Sequence, residues 1–225
     1  NLVIFTCILK ACGDGVIIEK GIHIHEEIIS RGLLTKDVVL GTSLVDMYAK
    51  CGLITKAQEV FDELFVKNVV TWYALIAGYT QQGQGHSALN CFELMQNEGL
   101  SPDEVTFICI LKACGSTRAM DKGKQINDEI RRMGFLYKDI AIGTALVDMY
   151  AKCGLLRKAK KVLEELPVRD IVSWNALIAG FVEQGQGHAA LHCFERMQDE
   201  GLFPDSVTFI SILKACGSAE AIEKG

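Results

Sequence analysis

The chain has 225 residues, 49% of them hydrophobic, and a formal net charge of −5. That is ample apolar content for a continuous core, yet no apolar run approaches the ~18 residues of a membrane span. The acidic balance argues against strong non-specific attraction to polyphosphate, which comes from Lys and Arg neutralising phosphates, and leaves room for a groove with local positive charge. The chain opens mid-pattern without a basic segment and apolar stretch, so no targeting segment is read and a lost one is left open.

The pattern is an internal repeat. Gly41–Leu53 reads GTSLVDMYAKCGL and Gly143–Leu155 reads GTALVDMYAKCGL, identical at twelve of thirteen positions and 102 residues apart. The same offset carries Trp72 onto Trp174, and Cys12 onto Cys114 and Cys216. A long strict period is the mark of a repeat array, whose units bury their apolar faces only against their neighbours.

The period divides into helix–turn–helix units. Taken in order they are 2–37, 38–68, 69–103, 104–139, 140–170 and 171–205, then a partial unit at 206–225. Asn1 is read as the last residue of a preceding unit, and Gly225, matching Gly123, as lying near the start of a second helix; the chain is expected to be a window from a longer array. In 69–103, Trp72, Leu75, Ile76 and Tyr79 follow i, i+3, i+4, i+7 along one helix. Gly83 and Gly85 are expected to break it. Ala88, Cys91, Phe92 and Met95 stripe a second helix that Gly99 stops and Pro102 keeps from resuming. In 104–139 the stripe is Phe107, Ile110, Leu111 and Cys114, with a second helix from about Met120 to Met133 ended by Gly134. In 140–170 it is Leu146, Val147 and Tyr150, then Ala159, Val162, Leu163 and Leu166 before Pro167. The unit lengths are 36, 31 and 35 residues, which sum to 102. The fold class predicted is all-α: an α-solenoid of stacked antiparallel helix pairs in a right-handed superhelix, with the first helices lining a concave face where function is expected.

Nine cysteines, most of them recurring with the repeat, occupy apolar or turn-adjacent positions and contain no CxxC pair. They read as small reduced packing residues rather than zinc or thioredoxin-type ligands. Gly83-Gln-Gly85-His-Ser-Ala88 and Gly185-Gln-Gly187-His-Ala-Ala190 mimic a dinucleotide fingerprint, but that fingerprint needs a preceding strand and these join two helices. His25-Glu26-Glu27 matches the H-x-E of zinc deaminases without their P-C-x-x-C partner. His23 and His25 point in different directions on a helix. His86, His188 and His192 have no nucleophile constellation. No active site is read, and no enzyme activity, cofactor, metal or small-molecule substrate is expected.

The units resemble pentatricopeptide repeats, specifically the plant subclass alternating P, long and short motifs. Val-Val-Thr-Trp-Tyr-Ala-Leu-Ile-Ala-Gly-Tyr at 69–79, closing on Gly-Leu-Ser-Pro-Asp at 99–103, is similar to the P motif, as are Ile171–Phe181 and Gly201–Asp205. Glu104–Gly115 followed by Asp121-Lys-Gly-Lys-Gln125 is similar to the long motif, and Gly143–Gly154 to the short. The array thus reads long 2–37, short 38–68, P 69–103, long 104–139, short 140–170, P 171–205 and partial long 206–225. The rival tetratricopeptide, a protein-binding scaffold of 34-residue units, places Gly directly after the Leu of W-x2-L-G; here Ile76 follows Leu75, and the length alternation also disagrees.

The resemblance implies sequence-specific binding of single-stranded RNA, one base per repeat. It makes the fifth and last residues of each unit the base-reading pair: Thr42 with Asn68, Tyr73 with Asp103, Thr144 with Asp170, Asn175 with Asp205, and in the long motifs Thr6 with Asp37 and Ile108 with Asp139. The family pattern links Thr/Asn to A, Thr/Asp to G and Asn/Asp to U with C tolerated. Tyr73 departs from it, and Ile108 cannot bond a base edge, so units 38–205 read A-N-N-G-U from 5′ to 3′. Taken singly, the Thr and Asn residues also suit helix caps, and a terminal Pro-Asp suits a turn. The second residues Val39, Val70, Val105, Ala141, Val172 and Val207, with Val3 in the first unit, are either core or base-sandwiching. Lys50 and Lys152 fall at the phosphate-contacting position, where the P motifs carry Gln81 and Glu183. The resemblance further implies a mitochondrial or chloroplast protein, an RNA-processing or C-to-U editing role, and small partner proteins gripping the long motifs. The acidic balance and Glu183 keep open the alternative of a protein-binding scaffold.

Overall fold

The computed structural model describes residues 2–34 and 37–223, with side chains up to 217. The expectations for Asn1 and Gly225 lie outside the described residues. Among these residues are thirteen α-helices and no strand, and no helix is long and apolar enough to cross a membrane. Contacts divide the chain into two units, Asn1–Ala113 and Cys114–Gly225.

In the first unit the helices are α1 Leu2–Asp14, α2 Ile18–Ser30, α3 Val38–Lys50, α4 Ile54–Glu63, α5 Val69–Gln81 and α6 Gly85–Asn97, followed by the start of α7 Glu104–Thr117. Helices α1, α3 and α5 pack side by side, and α2, α4 and α6 each pack on the helix before them. The second unit repeats this plan. Its helices are α8 Met120–Arg132, α9 Ile140–Lys152, α10 Leu156–Glu165, α11 Ile171–Glu183, α12 Gly187–Asp199 and α13 Ser206–Glu223, with a short 3₁₀ turn at Phe135–Tyr137. There α9, α11 and α13 form the row and α8, α10 and α12 back it.

Sequence chemistry sets the boundaries. Each of α3, α5, α9 and α11 starts after an Asp or Asn whose side chain accepts backbone N–H groups left over in the first helical turn: Asp37, Asn68, Asp139 and Asp170. At the other end, Gly52 and Gly154 adopt φ of 79° and 73°. That left-handed step lets Leu53 N and Leu155 N donate to Tyr48 O and Tyr150 O, each at 2.9 Å, closing the helix in a Schellman turn. Gly83 takes the same left-handed conformation. Gly85, by contrast, is a buried residue opening α6 and breaks nothing, because the reversal is complete one residue earlier.

The repeated glycines also set how near the helices lie. A Cβ on Gly78 would fall 2.7 Å from Ala49 Cβ, and one on Gly180 would fall 2.6 Å from Ala151 Cβ. Neighbouring helices of the row, α5 on α3 and α11 on α9, therefore meet backbone to backbone. The core between the rows holds Leu44, Met47, Tyr48, Leu75, Ile76 and Phe92 in the first unit, and Leu146, Met149, Tyr150, Trp174, Leu177 and Ile178 in the second.

Two expectations are corrected. Cys7 and Cys216 are exposed, whereas Cys12, Cys91, Cys114 and Cys193 are buried; Cys7 falls on the face of α1 away from Phe5 and Leu9. Also, α13 runs unbroken to Glu223, past the position matching the end of α7 at Thr117. The turn after α7 puts Arg118 at φ 53°, in the left-handed region that non-glycine residues adopt uncommonly.

Candidate nucleic-acid interface

The second residues of the repeats stand in solvent. Val39 is 57% exposed, Val70 55%, Val105 46%, Val172 57%, Val207 53% and Val3 66%, and Ala141 is exposed as well. This removes the core reading for all of them. They sit in the first turn of α1, α3, α5, α7, α9, α11 and α13, one turn before the fifth residues.

Two of the predicted pairs are joined, each with a third side chain. Asn68 Oδ1 accepts from Thr71 N at 2.9 Å and from Thr71 Oγ1 at 3.0 Å, and Thr71 Oγ1 lies 2.7 Å from Thr42 Oγ1. Asn175 Nδ2 donates directly to Asp205 Oδ1 at 3.0 Å. Thr208 Oγ1 lies 2.7 Å from Asn175 Oδ1 and 2.9 Å from Asp205 Oδ1. Bonding to the Thr208 backbone N–H, above all, holds the Asp205 carboxyl below its usual range, so it faces its slot as an acceptor. The last residues are thus helix caps, while the fifth residues sit inside their helices and cap nothing.

The other pairs are not joined. Asp103 Oδ1 accepts from Thr106 N and Oγ1 at 2.9 and 2.6 Å. Asp170 Oδ1 accepts from Ser173 N at 2.8 Å, but Ser173 Oγ turns to the Asp170 carbonyl at 2.8 Å. Thr144 Oγ1 is left buried without a partner. In the long motifs Asp37 caps α3 through Val39 N and Leu40 N, and Thr6 Oγ1 donates to Leu2 O. Asp139 accepts from Ala141 N at 2.7 Å, and Ile108 is half-buried. The residues placed like Thr71 are here Leu40 and Ile142, both fully buried and without a hydroxyl.

One cleft gathers these groups. A cavity of ≈ 400 Å³ opens beside α1, α3 and α5, lined by Val39, Val70, Thr42, Asn68, Tyr73 and Lys10 among others. Two exposed valines share its lining with the polar Thr42 and Asn68, and its size lies in the usual range of small-ligand sites, about 300–1,000 Å³. Lys50 Nζ pairs with Asp14 Oδ1 and Asp46 Oδ2, both at 2.9 Å, and Lys152 Nζ with Asp148 Oδ2 at 2.7 Å. Gln81 and Glu183 are exposed. Among the described residues no group of three His, Cys, Asp or Glu is placed to hold a metal ion.

A model of the PPR repeat family matches residues 67–116 and 169–218, and a PPR repeat model matches 42–69 and 144–171. The chain belongs to the pentatricopeptide repeat family. Its relatives include a chloroplastic pentatricopeptide repeat-containing protein of Arabidopsis thaliana, 40% identical over 215 residues, covering 96% of this chain and 34% of the relative. A mitochondrial one from the same plant is 36% identical over 241 residues, covering 98% and 26%. The chain thus spans about a third or less of these relatives. Among solved structures, the pentatricopeptide repeat protein PPR10 in complex with an 18-nt psaJ RNA element superposes with a TM-score of 0.82 at 22% identity, covering 99% of this chain and 34% of that one. At this identity the likeness is one of fold.

Reading this pentatricopeptide array by fifth and last residues overlooks Thr71, Ser173, Thr106 and Thr208. A signal for them was present: Asn68-x-x-Thr71 and Asp170-x-x-Ser173 carry the three-residue spacing of a reciprocal helix cap.

Proposed function

We propose that the chain binds single-stranded RNA in a sequence-specific way, about one base per repeat, reading A-N-N-G-U across residues 38–205. The observation that carries this reading is the cleft lined together by the polar Thr42 and Asn68 and the exposed Val39 and Val70. A flat base can enter between two apolar side chains and meet hydrogen-bonding groups at its Watson–Crick edge, which is how single-stranded RNA is read one base at a time. The RNA in the PPR10 complex supports the same reading.

The repeat boundaries 2–37, 38–68, 69–103, 104–139, 140–170, 171–205 and 206–225, and the long, short and P assignment, are part of this proposal; the recurring 31-, 35- and 36-residue lengths support them. Base-reading roles fall to Thr42, Asn68, Tyr73, Asp103, Thr144, Asp170, Asn175, Asp205, Thr6 and Asp37, and base-sandwiching roles to Val39, Val70, Val105, Ala141, Val172 and Val207. The chain supplies an RNA address within an organellar processing or C-to-U editing factor, with small partner proteins on its long motifs and the chemistry done elsewhere. Relatives named as chloroplastic and mitochondrial support an organellar setting.

Ion pairing of Lys50 and Lys152 with aspartates favours a second reading, a protein-binding scaffold, because it takes up charge that phosphates would need. Binding of the chain to labelled A-N-N-G-U RNA at low salt, against a control with G and U exchanged, separates the two. Preference for the first RNA that moves from U towards G in Asn175→Thr is the expected result. Equal binding to both RNAs overturns the address, and capture of protein partners without RNA binding favours the scaffold.

A further inference from the structure

We infer that the third residue of each following repeat (Thr71, Ser173 and Thr208) is a positioning residue that sets whether the fifth residue offers its base a hydrogen-bond donor or an acceptor. This rests on the RNA reading above and explains the pairs by where their protons go.

In the slot of Thr42 and Asn68, Thr71 is fully buried and its hydroxyl is saturated. Its proton goes to Asn68 Oδ1 at 3.0 Å, and its oxygen accepts from Asn68 N at 3.4 Å. The 2.7 Å contact with Thr42 Oγ1 therefore uses the Thr42 proton, since Thr71 has none left to give. Thr42 is left with lone pairs only. Asn68, whose Oδ1 is already taken by Thr71, is left with its NH₂ group. The slot presents one acceptor and one donor, which match the N6 amino group and N1 of adenine. Guanine, with O6 and N1–H at those places, meets a lone pair with a lone pair and a donor with a donor.

The slot of Thr144 and Asp170 differs at two positions, Asp170 standing where the first has Asn68 and Ser173 where it has Thr71. Ser173 gives its proton to the Asp170 carbonyl at 2.8 Å, and the Thr144 hydroxyl keeps its own, buried with no partner. A buried hydroxyl without a partner is destabilising, a deficit that a base acceptor removes. To reach O6 of guanine the Thr144 hydroxyl, buried in the free chain, turns out towards the groove and donates there, while the Asp170 carboxylate accepts from N1–H. Threonine and serine differ here because branching at Cβ restricts χ1, holding the Thr71 hydroxyl on Thr42, whereas serine is free to turn to the backbone.

In the slot of Asn175 and Asp205, the Thr208 proton is committed between Asn175 Oδ1 at 2.7 Å and Asp205 Oδ1 at 2.9 Å. One Asn175 N–H is spent on Asp205. One N–H and the outer carboxylate oxygen remain, a donor and an acceptor for a carbonyl and N3–H of uracil. Cytosine turns a bare N3 lone pair towards the carboxylate.

A reciprocal swap tests the inference without removing a cap, because the caps Asn68 and Asp170 accept from the backbone N–H of residues 71 and 173, which either side chain leaves in place. The chain, Ser173→Thr and Thr71→Ser are titrated with RNAs carrying A or G at the first or fourth position of A-N-N-G-U, with melting temperatures measured alongside. Ser173→Thr is expected to lose roughly three- to tenfold of the G-over-A preference at the fourth position and to keep the first unchanged. Thr71→Ser is expected to lose a similar share of the A-over-G preference at the first position alone. Unchanged ratios, or a uniform loss of affinity for every RNA, would overturn the positioning role while the RNA reading stands. Absence of any preference in the unsubstituted chain would overturn the RNA reading, and this inference with it.

Discussion

Asn175 Nδ2 donates to Asp205 Oδ1 across 3.0 Å, so the fifth residue of a repeat and the residue that caps the next helix act as one hydrogen-bonded group. Asp205 faces that slot as an acceptor only. Replacing its carboxylate by an amide supplies a donor for the bare N3 of cytosine. Asp205→Asn is therefore expected to move the preference at that position from U towards C. One re-paired base edge is worth about 1–3 kcal/mol of discrimination, and competition binding with RNAs differing only at that base measures it.

The exposed valines give a prediction of opposite character. Val70 and Val172 are 55% and 57% exposed, so shortening them costs the fold little; exposed substitutions fall within about 0.5 kcal/mol. Val70→Ala and Val172→Ala are expected to weaken RNA binding roughly threefold each, by loss of apolar area against the base, without changing which base is preferred. A changed preference with unchanged affinity would contradict the sandwiching role.

Gly180 tests the packing of the row. An alanine there meets Ala151 Cβ at 2.6 Å and Ala151 Cα at 3.3 Å. Overpacking costs about 1–3 kcal/mol, against about 1 kcal/mol recovered from alanine's helix preference. Gly180→Ala is expected to lower the melting temperature, whereas Gly217→Ala, with nothing within 4 Å of the new Cβ, is expected to raise or keep it. Thermal melts followed by circular dichroism decide between these outcomes.

His25 predicts an acid limb. Its Nδ1 lies 2.8 Å from Tyr48 Oη, and Nε2 is buried with no partner. Burial, helped by Lys56 and opposed by the carboxylates of Glu63 and Glu26, holds its pKa below the usual 6.5. The unfolded chain thus takes up a proton that the folded chain resists. The resulting stability is present above pH 6.5 and is lost as pH falls through the lower folded value. Denaturant melts between pH 7 and 5 are expected to show this loss, and His25→Gln is expected to flatten it.

The reach of the sequence is clear from individual positions. The 102-residue period and the helix stripes name the core: Trp72, Leu75 and Ile76 recur as Trp174, Leu177 and Ile178, and all six are buried. Apolar periodicity and capping chemistry are local, so they can be counted along a chain without knowing what packs against what. Burial of the second residues is another matter. A valine in the first turn of a helix satisfies a core and a surface equally well, and only the packed rows place Val39, Val70 and Val172 outside.

The same limit holds at the reading pairs. Sequence alone set Thr42 and Thr144 in register and told them apart only by their partners, Asn68 and Asp170. Tertiary structure separates them, because the fate of each hydroxyl proton depends on a residue about 30 positions further on, Thr71 in one case and Ser173 in the other. The repeat, the helices and their order follow from local chemistry. In the slots of Thr42 and Asn175 three side chains meet across two helices, and a hydrogen bond of that kind exists only once the fold has closed.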